Sequence, residues 1–514
     1  MILRTMLDIF TAGNKEEKTE QKDGYITSIL LVTSFSAIVF TCFGEQSFIH
    51  PKWLFSTSQY TIALLIMLVL LLLSLLIWIL LCCVTKYRAS SCVSVPRNDP
   101  VSSMVCILYG IFGFGTMVVH LLTVIIEIGC YKENNIYAVS AFTRVLHVIF
   151  LCVQIISIWH FSRFQFKRNL LIHYSLSVIL FTNVVLFLFI SFGNVYGISP
   201  PEKSDTNYTT NNNRSKDSCY WDSPIAKHFL LPLNGVIFAL RQEYYLLSSC
   251  LTACMFPRIR SIHNVNKNHV AGIGNKDDIS RPQAVIKVKQ RRQFEIGCKN
   301  ILLAVSSTAV FVPGVVVLIV RQTRNFNDSL VFIWSLCVVL ISSSGIAGIL
   351  VGFHFLRKVH VVGSVAENNG GYLMDNETIF ILSTVGVIAR KCIVLVFSLT
   401  IHHSIINVNA LACILVMVET YFQTILINSL KTINIRRVKA LQYVVLCLML
   451  PNCLWWMYDR FLSLKPDLDE TNELMIGLSW YSLRQTFLPL CGFYRFQAFV
   501  LLYRLWKTCK SEIN

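Results

Sequence analysis

Long apolar runs separated by short polar segments organise this chain. A membrane-crossing helix needs about 20 mostly apolar residues. Twelve stretches qualify, running roughly over 25–43, 59–84, 102–127, 137–161, 171–197, 228–256, 298–320, 329–355, 376–400, 404–430, 439–460 and 475–506. Tyr60 to Val84 is the clearest, with no charged residue. Between the ninth and tenth stretches only His402 and His403 mark a turn. Strands of a membrane barrel would be about 10 residues long and alternate, whereas Leu68 to Leu76 does not alternate. The pattern predicts an all-α polytopic membrane protein with twelve transmembrane helices.

Composition agrees. Hydrophobic types make up 54% of 514 residues and charged types 14%, against about 25% charged in a soluble protein. Too little polar material remains to cover soluble domains, which excludes a soluble enzyme, a coiled coil and a disordered chain. The net charge of +17 fits either nucleic-acid binding or basic loops on one side of a membrane, and its distribution decides. With a cytoplasmic N-terminus, the inner segments and their flanks carry 29 of the 45 Lys and Arg. This is the positive-inside bias, spread over loops, and it leaves no basic groove for nucleic acid. Both termini are expected in the cytoplasm, the first as a polar leader over 1–24 and the last as a tail over 507–514. The leader contains Lys-Glu clusters between Asn14 and Asp23 and lacks the basic-then-apolar layout of a signal peptide, so no cleavage is expected.

The outer loops fit this orientation. Asn207-Tyr-Thr and Asn213-Arg-Ser lie after the fifth span and are glycosylation acceptors. Most of the 18 cysteines fall inside spans, where thiols behave as small apolar groups. Only Cys130 and Cys219 sit clearly in outer loops, which leaves a disulfide between them open. No spacing suggests a zinc site. No phosphate loop or dinucleotide fingerprint appears, and nothing calls for a cofactor.

The polar segment 257–297 separates six spans (25–256) from six more (298–506). An even number per half makes the halves parallel repeats. Leu231-Pro-Leu-Asn-Gly235 and Leu488-Pro-Leu-Cys-Gly492 echo one another, as do Gln154 and Gln423 in the fourth span of each half. The basic cluster Lys287 to Arg292 in the linker reads as the inner flank of the seventh span or as a contact for anionic membrane lipids.

Charges inside the membrane are costly and therefore informative. Glu127, Arg144 and His147 lie toward span ends, where reaching the interface explains them. Adjacent Arg390 and Lys391 sit deep in the ninth span, and one of them is expected to pair with Glu419. Glu243 lies midway along the sixth span, and Arg241 points off to another side. Glu243 therefore needs a different partner or holds a proton, because burial disfavours the charged form. Arg495 is interior to the last span and suits an interface anchor, an anion site or a cation barrier. Gln154, Asn183, Gln423 and Gln497 donate and accept simultaneously. Such groups hold a water file for proton hopping or join helices.

These features, in this order, resemble the otopetrins, proton channels with twelve spans. The resemblance is carried by Phe487-Leu-Pro-Leu-Cys-Gly-Phe-Tyr-Arg-Phe-Gln up to Trp506-Lys507 and by Leu171-Ile-His-Tyr ahead of Thr182-Asn183. Pro232 followed by Glu243-Tyr244, and Phe422-Gln423-Thr, also fit. It implies two six-helix domains per chain, a homodimer, and acid-evoked proton influx across the plasma membrane. It assigns Glu243, beside Tyr244, to the family's acidic position in the sixth span. Gln154 and Asn183 fall to polar positions of the first half, and Gln423 and Arg495 to positions of the second. Where the family usually carries His two residues after the Arg of the last span, this chain has Gln497. Glutamine cannot change charge with pH, which leaves constitutive or differently gated conduction open.

A proton-coupled transporter of a small solute is the alternative, since twelve spans in two halves also fit the major facilitator plan. The loop after the second span, Thr85-Lys-Tyr-Arg-Ala-Ser-Ser-Cys-Val, lacks the glycines of that plan. A membrane-embedded enzyme would want a mid-membrane nucleophile or histidine with a partner, and His402-His403 sit at a turn.

Overall fold

A computed structural model describes residues 57–87, 93–96, 102–130, 135–162, 164–166, 170–197, 219, 223–230, 233–256, 328–360, 377–400, 404–431, 439–462 and 478–510. The expected spans at 25–43 and 298–320, the linker 257–297, Asn207 and Asn213 lie outside them.

Ten α-helices account for most of the described chain. In the first half they are α1 (Thr57–Tyr87), α2 (Ser102–Cys130), α3 (Asn135–Phe161), α4 (Leu170–Gly197) and α5 (Asn234–Met255). In the second half they are α6 (Asp328–His360), α7 (Glu377–Thr400), α8 (Ser404–Lys431), α9 (Lys439–Met457) and α10 (Leu478–Lys510). Two single π-helical turns precede α5 and follow α9, at Ala226–Leu230 and Tyr458–Leu462. Eight of the helices are long and apolar enough to cross a membrane. The other two, α5 and α10, interrupt their apolar runs with the charged and amide side chains of interest here. One departure from an all-helical chain is a short antiparallel ribbon between β1 (Val93–Pro96) and β2 (Phe164–Phe166). It ties the segment after α1 to the segment after α3, and apolar periodicity gives no sign of so short a pairing.

The helices owe their stability to lipid as well as to a core. On α1, Leu64, Met67, Leu71, Leu75, Trp78 and Leu81 recur at helical spacing and are buried. The opposite face carries Val69, Leu72, Leu76 and Ile79, and Leu76 is 64% exposed. An outer face as apolar as the inner one is costly in water and matches hydrocarbon.

The two sets of five helices pack in the same order. In the first, α2 contacts α3, α4 contacts α5, α2 contacts α5, and α1 lies against α3 and α4. In the second, α7 contacts α8, α9 contacts α10, α7 contacts α10, and α6 lies against α8 and α9. Each set has its own apolar core, one around Trp78, Tyr109 and Phe150, the other around Phe380, Leu426 and Val445. The sets meet where the turn 458–462 and α10 touch α5 and where α10 touches α4. Cys130 at the end of α2 is disulfide-bonded to Cys219. Such bonds persist on the oxidising side of a membrane, the side on which the charge pattern of the sequence puts this end of the first half.

Candidate functional site

Four helices of the first half converge on one buried hydrogen-bonded network. Gln154 of α3 donates through Nε2 to Asn183 Oδ1 of α4 at 2.9 Å and to Ser248 Oγ of α5 at 2.7 Å. Its Oε1 accepts from the Tyr244 hydroxyl at 3.0 Å. Tyr109 of α2 donates to Tyr244 at 2.9 Å, and the two rings stack 4.9 Å apart. Asn183 anchors itself by donating Nδ2 to Ile179 O one turn back, at 2.9 Å. Gln154, Asn183, Tyr244, Tyr109 and Ser248 are all fully buried. A buried polar group without a partner costs about 1–3 kcal/mol, and here each satisfies another. Every link is a hydroxyl or amide that can donate and accept, in a continuous chain crossing four helices.

Outward of this network lies a charged layer. Arg144 Nε of α3 donates to Glu127 Oε1 of α2 at 2.8 Å, and Ser140 Oγ donates to the same oxygen at 2.8 Å. Glu127 is only 2% exposed. It does not reach to the interface, as its position near a span end suggested, because a guanidinium and a hydroxyl meet it inside the protein. His147 is likewise buried and shares a short hydrogen bond with the Tyr245 hydroxyl.

The second half repeats part of the pattern. Asn452 of α9 donates Nδ2 to Leu448 O, again one turn back, at 2.7 Å. Tyr494 of α10 donates to Thr420 O at 3.1 Å, accepts from Thr424 Oγ1 at 3.4 Å, and stacks on Phe380. Gln423 of α8 is fully buried, and among the described residues neither end of its amide has a hydrogen-bond partner. Arg495 takes the place that a glutamine amide holds in the first half. It donates to Asn452 Oδ1 at 3.2 Å and to Glu419 Oε1 at 3.1 Å. Glu419 thus pairs with Arg495 instead of the expected Arg390 or Lys391. Arg495 belongs to the interior of the second half, with its guanidinium near the Trp455 and Tyr494 rings.

Glu243 has a different environment. It is 1% exposed and ion-paired with Arg460, also 1% exposed, from the turn after α9. Arg460 further donates to Gln242 Oε1 at 3.3 Å and to Pro489 O at 2.6 Å. The partner that Glu243 lacked in its own span therefore comes from the other half. Gly492 makes room for it: a Cβ there would lie 2.9 Å from Arg460 Cδ and Cζ. Gln497 lies at the same contact between halves, its Nε2 3.5 Å from Cys250 Sγ of α5.

Sequence reasoning did not single out Tyr109, Ser248, Asn452 or Arg460. Asn452, next to Pro451 in an apolar run, was a visible signal. Arg460 at the very end of its predicted span was not. Among the described residues no three His, Cys, Asp or Glu side chains gather as a metal site.

Helices with apolar outer faces around buried, mutually satisfied polar clusters define a multi-pass membrane protein. Comparison with protein-family models matches residues 193–496 to the family described as Otopetrin. That is more than half of the chain, and the chain belongs to the otopetrin family. Among curated proteins, none matches it.

Proposed function

We propose that this otopetrin is a proton-selective channel, passing H+ down its gradient across the plasma membrane in response to external acid. One observation carries the reading. The Gln154–Asn183–Tyr244–Tyr109–Ser248 network is a continuous set of donor–acceptor groups inside an apolar helix bundle. Its members touch at hydrogen-bond distances, which suits a proton and leaves no room for an organic solute between them. That favours a channel over a proton-coupled solute transporter.

On this reading the first half (25–256) and second half (298–506) are six-helix repeats joined by a cytoplasmic linker, 257–297. There are twelve spans in all, with both termini inside the cell. The shared packing order of the described helices supports repetition. Gln154, Asn183 and Tyr244 form a constriction in the first half, and Gln423 serves the second. Glu243, Arg495 and Gln497 set the gating around the contact between halves and in the second half. Two chains form the dimer, surrounded by lipid, with glycans on Asn207 and Asn213.

The experiment is flux into proteoliposomes holding the purified chain and a pH-sensitive dye, with potassium and valinomycin setting the potential. Interior acidification driven by an inward proton gradient, unchanged when every cation other than the potassium that sets the potential is replaced by a large organic one, is expected. Acidification that needs an added solute would favour the transporter, and vesicles that do not acidify would overturn both.

A further inference from the structure

The network described above leaves one buried imidazole unused. His120 of α2 is 1% exposed, and among the described residues neither ring nitrogen has a hydrogen-bond partner. Its ring lies 4.3 Å from that of His147 on α3, tilted by 35°. Both rings line a cavity of about 30 Å³, room for roughly two waters. A neutral imidazole carries one donor and one acceptor. Leaving both unmade is costly, and water in this cavity would satisfy them.

The surroundings are polar on two sides and apolar on the others. Arg144 faces the site from α3 and Arg241 from α5; behind them, Glu127 of α2 pairs with Arg144 and Tyr245 of α5 bonds His147. From α1 and α4 only apolar side chains face it, among them Met67 and Phe189. Arg144 is held by Glu127. Two imidazolium rings this close, beside two guanidiniums, would repel strongly at low dielectric. The pair therefore takes one proton at a time.

The depth is right for an inlet. His120 is ten residues inward of the disulfide-bonded Cys130, about 15 Å at 1.5 Å per residue. Gln154 is seven residues further inward along α3 than His147, about 10 Å. Between them, His147 bonds the Tyr245 hydroxyl, and the Tyr245 ring meets the Tyr244 ring edge-on at 5.0 Å.

We infer that His120 and His147 form a proton-binding site at the outer end of the first half. It is loaded from outside through the cavity and emptied toward Tyr245 and the Gln154–Tyr244 network. One proton arrives at a ring nitrogen and one leaves from the pair, so neither ring changes net charge over a cycle. This inference rests on the proton-channel reading.

Whole-cell recording of the full chain compares the wild type with His120→Gln, His147→Gln and the double variant, at matched surface expression. The double variant should lose most of its proton current, and its dependence on external pH should flatten. Unchanged current and unchanged pH dependence would overturn the inference. Should the histidine variants not reach the surface, Thr143→Val removes a cavity hydroxyl at constant shape. It should lower the current, and full current would overturn the inference. A wild type without proton current removes the channel reading instead. The site is then decided by 15N spectra of histidine-labelled protein. A resonance that changes on acidification and is lost in His120→Gln or His147→Gln supports it, and two rings that never change charge refute it.

Discussion

Arg460→Met offers a sharp test of how the two halves are held. The guanidinium pairs with Glu243, and both are 1% exposed. Removing it leaves a buried carboxylate without its cation and leaves Pro489 O and Gln242 Oε1 without their donor. Breaking a buried pair from one side costs about 3–5 kcal/mol. Glu243→Gln should cost a comparable amount by stranding the guanidinium. The double variant removes both charges and should recover much of the loss, giving a coupling energy of about 2 kcal/mol or more, within the range for directly bonded neighbours. The assay is unfolding by SDS titration in mixed micelles, followed by tryptophan fluorescence. Gly492→Ala adds an independent arm. Its Cβ would crowd Arg460 Cδ and Cζ at 2.9 Å, a strain of about 1–3 kcal/mol, and it should become nearly neutral in an Arg460→Ala background. Single losses below about 1 kcal/mol, as for an exposed ion pair, or strictly additive effects would refute the reasoning.

Further predictions concern the network, the disulfide and the second half. Gln154→Leu keeps the helix and deletes the hub that joins Asn183, Tyr244 and Ser248; most of the proton current should be lost at unchanged surface expression, and full current would remove the hub from the path. Cys130→Ser opens a loop closed across a separation of 89 residues. It should cost about 4–5 kcal/mol on the chain-entropy model, read as earlier unfolding in the same SDS titration. Glu419→Leu strands the Arg495 guanidinium, which is 4% exposed; a loss of about 3–5 kcal/mol is expected, and it should shrink when Arg495→Met is added.

The helices were legible because lipid and core ask for the same residues. The run expected over 102–127 is α2, Ser102–Cys130, and the turn marked by His402-His403 falls between α7, ending at Thr400, and α8, starting at Ser404. The sixth span, expected from 228, begins with a π-helical turn, and its regular helix starts only at Asn234. Gln154 and Asn183 stand out because an amide in an apolar run must find a partner, Tyr244 came with the otopetrin resemblance, and the structure brings the three together. Partners were harder to read. Tyr109 passes for an ordinary aromatic core residue until its hydroxyl is located. Glu127 and Arg460 sit at span ends, where reaching to water is the cheaper explanation, and only the packing of α2 on α3 and of the 458–462 turn on α5 shows both to be buried. The Leu-Pro-Leu echo sets no register between the halves. Pro232 precedes Tyr244 by twelve residues and Pro489 precedes Tyr494 by five, so the tyrosines match in place without matching in that motif.

The central claim is proton selectivity, and reversal potential tests it most directly. In whole cells expressing the full chain, with sodium, potassium and chloride replaced by large impermeant ions, external pH is stepped while internal pH is buffered. A proton-selective pore gives a reversal that moves by about 59 mV per pH unit at 25 °C, the Nernst slope for a singly charged ion. A reversal that ignores the proton gradient, or that follows another ion when it is restored, would contradict it.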